Sequence, residues 1–353
     1  MAVQHTQIDQ NQVVDLGPRD TLERPIRDLR ISVIDRCNFR CPYCMPETKF
    51  HANYQFLKRQ ECLSYREIQR IASAAVGLGV TKLRLTGGEP LLDKKIPDLI
   101  ARLSKLSGVD DFALTTNGML LAPIATTLAD AGLRRVTISL DSIDEGTFRS
   151  MSGNRGDLTK VLQGIEAAEK AGLTPIKINV VVQYGVNDHQ IIDLLQHFRG
   201  SGHIVRLIEF MDVGNRNGWH IDQVVPSKKL YKQIHERWPL RVVGRNYPGE
   251  VANRYSYLDG QGEIGFISSI TEPFCGSCNR ARLSADGVLY TCLFATTGVS
   301  LRDPLRNGAD DAELADILTR AWLKRADRYS ELRGSGVDEK PLANKVEMYR
   351  IGG

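Results

Sequence analysis

The sequence lacks the features that direct a chain into a membrane or out of the cell. No apolar run approaches the length of a membrane-spanning helix, and residues 1–22 have neither the basic start nor the apolar stretch of a signal peptide. Cysteine is scarce, because seven in 353 residues are too few for a secreted disulfide scaffold. We therefore expect a soluble cytoplasmic protein without a membrane partner, in which residues 1–22 form a polar, disordered extension.

A strong excess of charge of one sign is absent as well. The formal net charge is +4 at pH 7, which is too small to indicate binding to nucleic acid. Such a charge suits an anionic small substrate if the cations cluster at one site. The hydrophobic fraction of 42% allows a large buried core, so we expect one large domain and an appendage.

The cysteines that are present fall into two triplets. They are Cys37, Cys41 and Cys44 near the start of the chain, and Cys275, Cys278 and Cys292 near its end. Three thiolates are one short of the four that close a tetrahedral iron or zinc site, so each triplet leaves a coordination position open to a small molecule. The sequence therefore predicts two reactive metal centres. A zinc site completed by His51 is the alternative for the first triplet, and the seventh cysteine, Cys62, is expected to be a small buried hydrophobic residue.

Short β-branched runs alternate with amphipathic helical segments over the first two thirds of the chain. The predicted strands are residues 29–35, 82–86, 111–116, 135–140, 176–182 and 204–210. The predicted helices are residues 64–78, 94–106, 123–131, 158–171, 190–198 and 227–237. Six βα units in series indicate a parallel sheet with helices outside it, either open or closed as a barrel. The first cysteine triplet follows the first strand, where a barrel carries its reactive groups.

The alternation ends near residue 240. Shorter β-like pieces follow at residues 254–258, 263–268, 281–284 and 288–290, and then a helix at residues 311–326. We therefore predict a barrel domain over residues 23–240 and an α+β extension over residues 241–353 that carries the second triplet.

Several predicted strands have a polar, cationic face opposite an apolar face. Lys82, Arg84 and Thr86 alternate with leucines in the second strand, and Lys177 alternates with isoleucines in the fifth. A strand between helices and a packed interior should be apolar on both faces, so this pattern indicates an internal cavity with a bound anion. The alternative is that these cations pair with interior acids such as Asp141.

A Gly-Gly-Glu-Pro motif at residues 87–90 ends the second predicted strand. Its glycines allow a ligand to approach the backbone closely, and the Glu89 carboxylate can accept an ammonium group. Together with the Cys-x3-Cys-x2-Cys spacing and Tyr43, this motif resembles the radical S-adenosylmethionine (SAM) enzymes. The resemblance implies a 4Fe-4S cluster on the first triplet, whose open iron binds SAM, and reductive cleavage of SAM to a 5'-deoxyadenosyl radical.

The second triplet narrows the resemblance to one family. An Asn-Arg-Ala-Arg segment follows Cys278, the chain ends in Gly-Gly, and the similarity extends from about Arg24 to Gly353. This pattern is similar to the GTP 3',8-cyclase family of molybdenum cofactor biosynthesis. The resemblance implies a partial (βα)6 TIM-type barrel of the radical SAM type, a second 4Fe-4S cluster in the C-terminal extension, and abstraction of the ribose 3' hydrogen of GTP to give 3',8-cyclo-7,8-dihydro-GTP.

The same resemblance implies roles for individual residues. The six cysteines of the triplets are the metal ligands. The residues assigned to SAM are Tyr43, Gly88, Glu89, Ser139 and Met211. The residues assigned to GTP are Arg30, Lys82, Arg84, Thr115 (or its neighbour Thr116), Lys177, Arg206, Arg280, Ala281 and Arg282. The residues assigned to catalysis are Arg282, Gly352 and Gly353, with the diglycine reaching into the site.

The resemblance also implies partners, and two other functions stay open. The implied partners are a flavodoxin- or ferredoxin-type electron donor, the next enzyme of the molybdopterin pathway and a second copy of the chain. A radical SAM peptide-modifying enzyme with an auxiliary cluster would need further C-terminal cysteines, which the sequence does not contain. A zinc-ribbon nucleic-acid-binding protein would need paired Cys-x2-Cys knuckles and a more basic composition.

Overall fold

A parallel β-sheet organises the chain, whose computed structural model describes residues 17–333 and 344–352. The first six strands are β1 (Asp28–Ser32), β2 (Lys82–Thr86), β3 (Asp111–Thr116), β4 (Arg135–Ser139), β5 (Lys177–Val182) and β6 (Ile204–Glu209). They pair in parallel and in chain order. All six predicted strands are therefore confirmed, although several end earlier than the β-branched runs do.

Helices connect these strands and cover one face of the sheet. They are α1 (Tyr65–Gly77), α2 (Ile96–Leu103), α3 (Ala125–Asp130), α4 (Glu145–Met151), α5 (Leu158–Lys170), α6 (Ile191–Phe198) and α7 (Ser227–Arg237). At the start of α1, Ser64 and Glu67 form a capping box that satisfies free backbone N–H groups. Helix α4 was not predicted, because its seven residues are mostly polar and begin with Glu-Gly.

Strands from the C-terminal segment extend the same sheet on both sides. The remaining elements are β7 (Leu240–Val243), β8 (Asn253–Tyr257), β9 (Glu263–Ile267), β10 (Arg280–Leu283), β11 (Val288–Tyr290), β12 (Val299–Ser300), α8 (Arg302–Arg306), α9 (Asp311–Leu323), α10 (Tyr329–Leu332) and α11 (Met348–Ile351). Strand β9 pairs in parallel with β6, and β10 pairs in parallel with β1. The predicted domain boundary near residue 240 falls between α7 and β7, where the βα alternation ends, but the sheet continues across it.

The two faces of the sheet differ in polarity, as the alternation in the sequence predicts. Leu83 and Leu85 of β2 are fully buried in the apolar core against the helices. On the other face, the parallel register places Arg282, Arg30 and Arg84 side by side on β10, β1 and β2. The inner face of the sheet therefore carries a row of arginines.

The start of the described chain is packed rather than extended. Arg19 forms a bridge with Pro25, and Asp20 is 3% exposed. The predicted disordered extension therefore does not reach residue 22, because buried contacts fix residues 17–22 in place; residues 1–16 lie outside the described residues. Within residues 17–333 and 344–352, no helix combines the length and the apolar character needed to cross a membrane.

Candidate active site

Both cysteine triplets open onto one cavity on the inner face of the sheet. All six cysteines line it. The other predicted site residues that line it are Tyr43, Gly88, Glu89, Ser139, Met211, Arg30, Arg84, Thr115, Arg206, Arg280 and Arg282. Residues 250 positions apart in the sequence are therefore brought together, because β10 lies beside β1 in the sheet.

Three residues assigned to GTP do not line this cavity. Ala281 is fully buried in the apolar core on the opposite face of β10, so its side chain cannot contact a ligand there. Lys82 lies 2.7 Å from the Tyr247 hydroxyl and 3.2 Å from an Asp111 carboxylate oxygen. Lys177, on β5 beside Thr137, lies further toward the start of the strands and is half-buried. The alternative of a structural ion pair therefore holds for Lys82, with Asp111 as its partner.

The first triplet lies in the loop that follows β1. A tight turn brings its members together, since the Cys44 and Met45 N–H groups both donate to the Cys41 carbonyl, at 3.0 and 2.8 Å. Burial raises the pKa of the Cys37 thiol to about 12, and burial and the neighbouring thiols also raise the pKa of Cys41. Thiolates in such a place need a strong cationic partner, which an iron cluster supplies.

The second triplet has a different electrostatic environment. An Arg280 Nη2 donates to the Cys278 Sγ at 3.0 Å. Burial raises the pKa of this thiol, but the positive charges of Arg280 and Arg325 outweigh it and bring the pKa down to about 7. Burial raises the pKa of Cys292 to about 12. Cys278 is therefore the member of this triplet best prepared to bind as a thiolate.

The donor sets fit clusters better than single ions. Among residues 17–333 and 344–352, no three His, Cys, Asp or Glu side chains are arranged to hold one metal ion, and the cysteines form no disulfide. A cluster of several irons holds its thiolates further apart than one ion does. His51 is exposed, which leaves the zinc alternative without its fourth ligand. Cys62 is buried, as predicted.

The Gly-Gly-Glu segment lies against the backbone that leads into the first triplet. A Cβ on Gly88 would lie 2.0 Å from the Arg36 carbonyl oxygen, so only glycine allows this approach. The Glu89 carboxylate accepts hydrogen bonds from the Thr116 hydroxyl at 2.7 Å and from the Asn117 and Leu91 N–H groups at 2.8 and 3.0 Å. Burial raises its pKa to about 7. Glu89 therefore organises the loop around it and retains little capacity for a ligand.

The hydroxyls of Thr115 and Thr116, the two alternatives for one GTP contact, differ in their hydrogen bonds. The Thr116 hydroxyl is engaged by Glu89, whereas the Thr115 hydroxyl is buried without a hydrogen-bond partner. A buried unpaired hydroxyl on the cavity wall costs free energy unless a ligand satisfies it. Thr115 therefore fits a ligand-binding role better than Thr116.

The hydrogen-bond partners of Asp141 are Tyr43 and Val181, not the strand cations that were the alternative partners. The Tyr43 hydroxyl donates to its Oδ2 at 2.7 Å, and the Val181 N–H donates to its Oδ1 at 2.8 Å. Burial raises its pKa to about 6. Sequence reasoning missed this positioning role, and it missed Asn117, whose amide donates to the Asn38 side chain at 2.8 Å beside Cys37. Neither residue stands in a motif that would have indicated it.

The cations of the inner face lack enough acidic partners. Burial and mutual repulsion lower the pKa values of Arg206 to about 9 and of Arg282 to about 10, and lower that of Arg30 as well. The Nε atoms of Arg30 and Arg84 are buried without a hydrogen-bond partner. Uncompensated buried cations are costly, so the geometry calls for a polyanionic ligand between the two triplets.

The C-terminal tail reaches this cavity, whose lining includes Met348 and Tyr349. An Arg282 Nη1 donates to the Ile351 carbonyl at 3.2 Å and to the Gly352 carbonyl. Gly352 has a φ of +70°, and a Cβ there would lie 2.0 Å from the Thr86 Cγ2. Glycine is therefore required where the tail reaches β2. Gly353, also assigned to catalysis, lies outside the described residues.

Comparison with known proteins also indicates a radical SAM enzyme. The profile of the Radical SAM superfamily matches residues 31–198, and that of Molybdenum Cofactor Synthesis C matches residues 203–331. Among solved structures, Streptococcus suis SuiB bound to S-adenosylmethionine is similar with a TM-score of 0.59 at 14% identity, over 90% of this chain and 75% of that one. Methylornithine synthase is similar with a TM-score of 0.51 at 15% identity, over 88% of this chain and 86% of that one. The chain has the fold of a radical SAM enzyme.

Sequence relatives define the family within that class. GTP 3',8-cyclase of Xanthomonas axonopodis pv. citri is 54% identical, over 95% of this chain and 98% of that protein. The enzymes of the same name from Acidothermus cellulolyticus and Staphylococcus saprophyticus are 51% and 45% identical, over 95% of this chain and 99% and 98% of those proteins. This chain belongs to the GTP 3',8-cyclase family.

Proposed function

We propose that the chain catalyses the reaction for which its relatives are named, the conversion of GTP to 3',8-cyclo-7,8-dihydro-GTP in the first step of molybdenum cofactor biosynthesis. One observation carries the proposal: two cysteine triplets open onto a single cavity, and its wall carries buried arginines, of which Arg30 and Arg84 have Nε groups without a hydrogen-bond partner. A zinc-ribbon protein or a peptide-modifying enzyme does not require that arrangement. A nucleoside triphosphate does, because it brings several negative charges into the same small space.

The chain's own residues would hold the two clusters and SAM in this cavity. Cys37, Cys41 and Cys44 would ligate one 4Fe-4S cluster, and the C-terminal triplet would ligate the other. When bound, the first cluster and SAM supply the radical chemistry that removes the ribose 3' hydrogen. All five residues assigned to SAM line the cavity: Tyr43, Gly88, Ser139 and Met211 would contact SAM, and Glu89 would hold the loop that carries Gly88.

The arginines would bind and orient the triphosphate. Arg30, Arg84 and Arg282 form a continuous row, and a guanidinium binds phosphate oxygens through two parallel N–H groups. Arg206 is held in place by the Asn179 side chain, to which its Nε donates at 2.9 Å. Lys82, which does not line the cavity, would support this row through its contacts with Asp111 and Tyr247. Ala281 would contribute only its backbone. Thr115 would donate its free hydroxyl.

The tail would complete the enclosure. Because its carbonyls are held by Arg282 and its last described glycine packs against Thr86, it narrows the space in which a reactive carbon centre is formed. Excluding water and fixing both ends of the substrate prevent side reactions. Assignment of Arg282, Gly352 and Gly353 to the catalytic step is part of this proposal.

Family membership supports further proposals about the protein's surroundings. We propose a cytoplasmic location, a flavodoxin- or ferredoxin-type electron donor, delivery of the product to the next enzyme of the molybdopterin pathway, and a homodimer. The cysteine chemistry supports the first two, because the clusters require a reducing compartment and an external source of electrons.

The test is to purify the protein anaerobically and quantify iron, then to follow 5'-deoxyadenosine and GTP together after adding dithionite, SAM and GTP. About eight irons per chain and GTP-dependent formation of the cyclic product support the proposal. About four irons, or SAM cleavage indifferent to GTP, contradict it.

The phosphate site has its own test. Arg282→Ala and Arg84→Ala should each weaken GTP binding by roughly 10- to 100-fold, corresponding to the loss of charged hydrogen bonds, while SAM cleavage without GTP stays measurable. Arg70→Ala is the matched control, because Arg70 pairs with Asp311 outside the cavity. GTP affinities equal to that of the control would remove these arginines from the site.

A further inference from the structure

A buried ionic cluster lies beside the second cysteine triplet, and one of its members, Arg325, also lines the cavity. Its centre is Asp20, whose side chain is fully buried between the guanidinium groups of Arg24 and Arg325. The Asp20 Oδ2 accepts from the Arg24 Nε at 2.6 Å and from an Arg325 Nη1 at 3.0 Å. Its Oδ1 accepts from the Leu22 and Arg24 N–H groups, at 2.9 and 3.0 Å. All of its acceptor positions are therefore occupied.

The two arginines contact all three backbone segments that carry the cysteines. An Arg24 Nη1 donates to the Cys275 carbonyl at 2.8 Å. An Arg325 Nη1 donates to the Cys278 carbonyl at 2.7 Å, and the Arg325 Nε donates to the Thr291 carbonyl, directly before Cys292, at 3.0 Å. The backbone at each cysteine is therefore connected to the Asp20 carboxylate through a guanidinium, that of Arg24 at Cys275 and that of Arg325 at Cys278 and Cys292.

The cluster is fixed by the apolar core on its other side. The Trp322 indole N–H of α9 donates to the Arg24 carbonyl at 2.8 Å, and the Arg325 guanidinium lies 4.6 Å from the centre of the same ring. Trp322 is fully buried. The arginines are therefore oriented by contacts that do not involve the cluster, which is the condition under which a supporting residue sets ligand geometry.

The positions of Arg24 and Arg325 depend on Asp20, because its carboxylate contacts both guanidinium groups. Arg325 has a second acidic partner, since its Nε lies 3.4 Å from the Asp327 Oδ2, but Asp20 is the carboxylate that the two guanidinium groups share. Without it they would repel each other in a buried place, and each would keep its charge. Removing the carboxylate would therefore displace one arginine toward solvent and release the carbonyl that it holds.

We propose that Asp20 is a positioning residue for the second 4Fe-4S cluster, acting through Arg24 and Arg325 to hold the three cysteine segments in register. The proposal rests on the proposed function, in which the second triplet holds that cluster. The positive charge that Asp20 keeps beside Cys278 also sets the cluster's electrostatic environment, since net charge near a cluster tunes its reduction potential. Residues 17–24 are thereby part of the C-terminal metal centre.

The experiment uses the full chain in a background that isolates each cluster. With Cys37, Cys41 and Cys44 changed to Ala, wild-type Asp20 should leave about four irons at the second triplet. In that background we expect Asp20→Asn to lower the affinity of the second triplet for its cluster by roughly 10- to 100-fold, the range typical of outer-shell substitutions, measured as the chelator concentration that removes half of the iron. The midpoint potential and EPR spectrum of the remaining cluster should shift.

The reciprocal background separates this effect from misfolding. With Cys275, Cys278 and Cys292 changed to Ala, Asp20→Asn should retain about four irons at the first triplet with an unchanged EPR spectrum. Arg325→Lys offers a milder test, because one ammonium cannot reach both the Cys278 and Thr291 carbonyls in the geometry of the guanidinium. Asp311→Asn, which removes an exposed pair with Arg70, is the matched control.

The outcomes are distinguishable. Unchanged iron retention, potential and EPR spectrum of the second cluster in Asp20→Asn would overturn the positioning role. Equal loss of iron from both triplets would also overturn it, because the effect would then be a general loss of structure. Failure of the wild-type second triplet to bind iron would instead contradict the proposed function.

Discussion

Replacing Gly352 by alanine tests whether the tail must reach β2 for the reaction to stay productive. The added Cβ would lie 2.0 Å from the Thr86 Cγ2 and 2.6 Å from its Oγ1, and the backbone there has φ +70° and ψ +138°. A non-glycine residue in that region of backbone space costs about 1–3 kcal/mol, and overpacking against a buried side chain costs about 1–3 kcal/mol more.

That cost is comparable with what holds the tail in place. The two hydrogen bonds from Arg282 to the Ile351 and Gly352 carbonyls contribute about 1.5–3 kcal/mol each. We therefore expect the last residues of Gly352→Ala to leave the cavity in a large fraction of molecules. Hydrogen exchange of the Val346 and Arg350 amides, both hydrogen-bonded in the tail, should accelerate. The yield of cyclic product per 5'-deoxyadenosine should fall.

A control and a partial rescue make the result specific. Gly172→Ala places alanine at a similar φ of +75° but meets no atom within 4 Å, so it carries backbone strain without the clash and should leave the tail unaffected. Thr86→Ala removes the two closest atoms and should partly restore the yield in the double variant. A yield and an exchange rate in Gly352→Ala equal to those of Gly172→Ala would refute the reasoning.

Two other predictions concern the cations of the inner face. Burial, followed by repulsion from Arg206, lowers the pKa of Lys177 to about 7, so between about pH 7 and 10 a bound triphosphate should draw a proton onto its amine. Calorimetry at pH 8 in buffers of different ionisation enthalpy should show proton uptake on GTP binding. Lys177→Met should abolish this uptake, and Lys170→Met, a control at an exposed site, should keep it. Equal uptake in the two variants would show that Lys177 does not take up the proton. Asp111→Asn should destabilise the fold by about 3 kcal/mol, because the carboxylate accepts from the Arg135 Nε at 2.8 Å and pairs with Lys82. The exposed-pair control Asp316→Asn should change the free energy of unfolding by less than about 1 kcal/mol, and equal effects in a denaturant titration would show that the inner pair contributes nothing special.

The sequence predicts those features that depend on short-range pattern. The βα alternation, the two triplets and the cationic strand faces each follow from the local spacing of residue types along the chain, and the structure contains all of them. The same alternation argues against Ala281 as a side-chain contact, since it lies between two arginines that face the cavity. The resemblance to a family assigns it to GTP, but the geometry of β10 allows only its backbone to reach a ligand.

Features that depend on distant partners could not be predicted. Asp20 belongs to a polar segment, and its burial depends on Arg325, about 300 positions away, and on Trp322, which holds the carbonyl of its neighbour Arg24. The partner of Lys82 is Asp111 on the neighbouring strand rather than Asp141, and that choice depends on the register between β2 and β3. A single sequence carries no signal for either contact.

Arg282 links the tail and the substrate through one side chain. A guanidinium has five N–H donors in a fixed plane, and the contacts to the tail carbonyls are both made through Nη1. The Nε and Nη2 groups remain for an anion beside Arg30 and Arg84. A phosphate bound there would fix the plane of the guanidinium, and a fixed plane would hold the tail carbonyls more firmly. Binding of substrate and closure of the tail would then reinforce each other, because the entropy cost of ordering the Arg282 side chain arises only once.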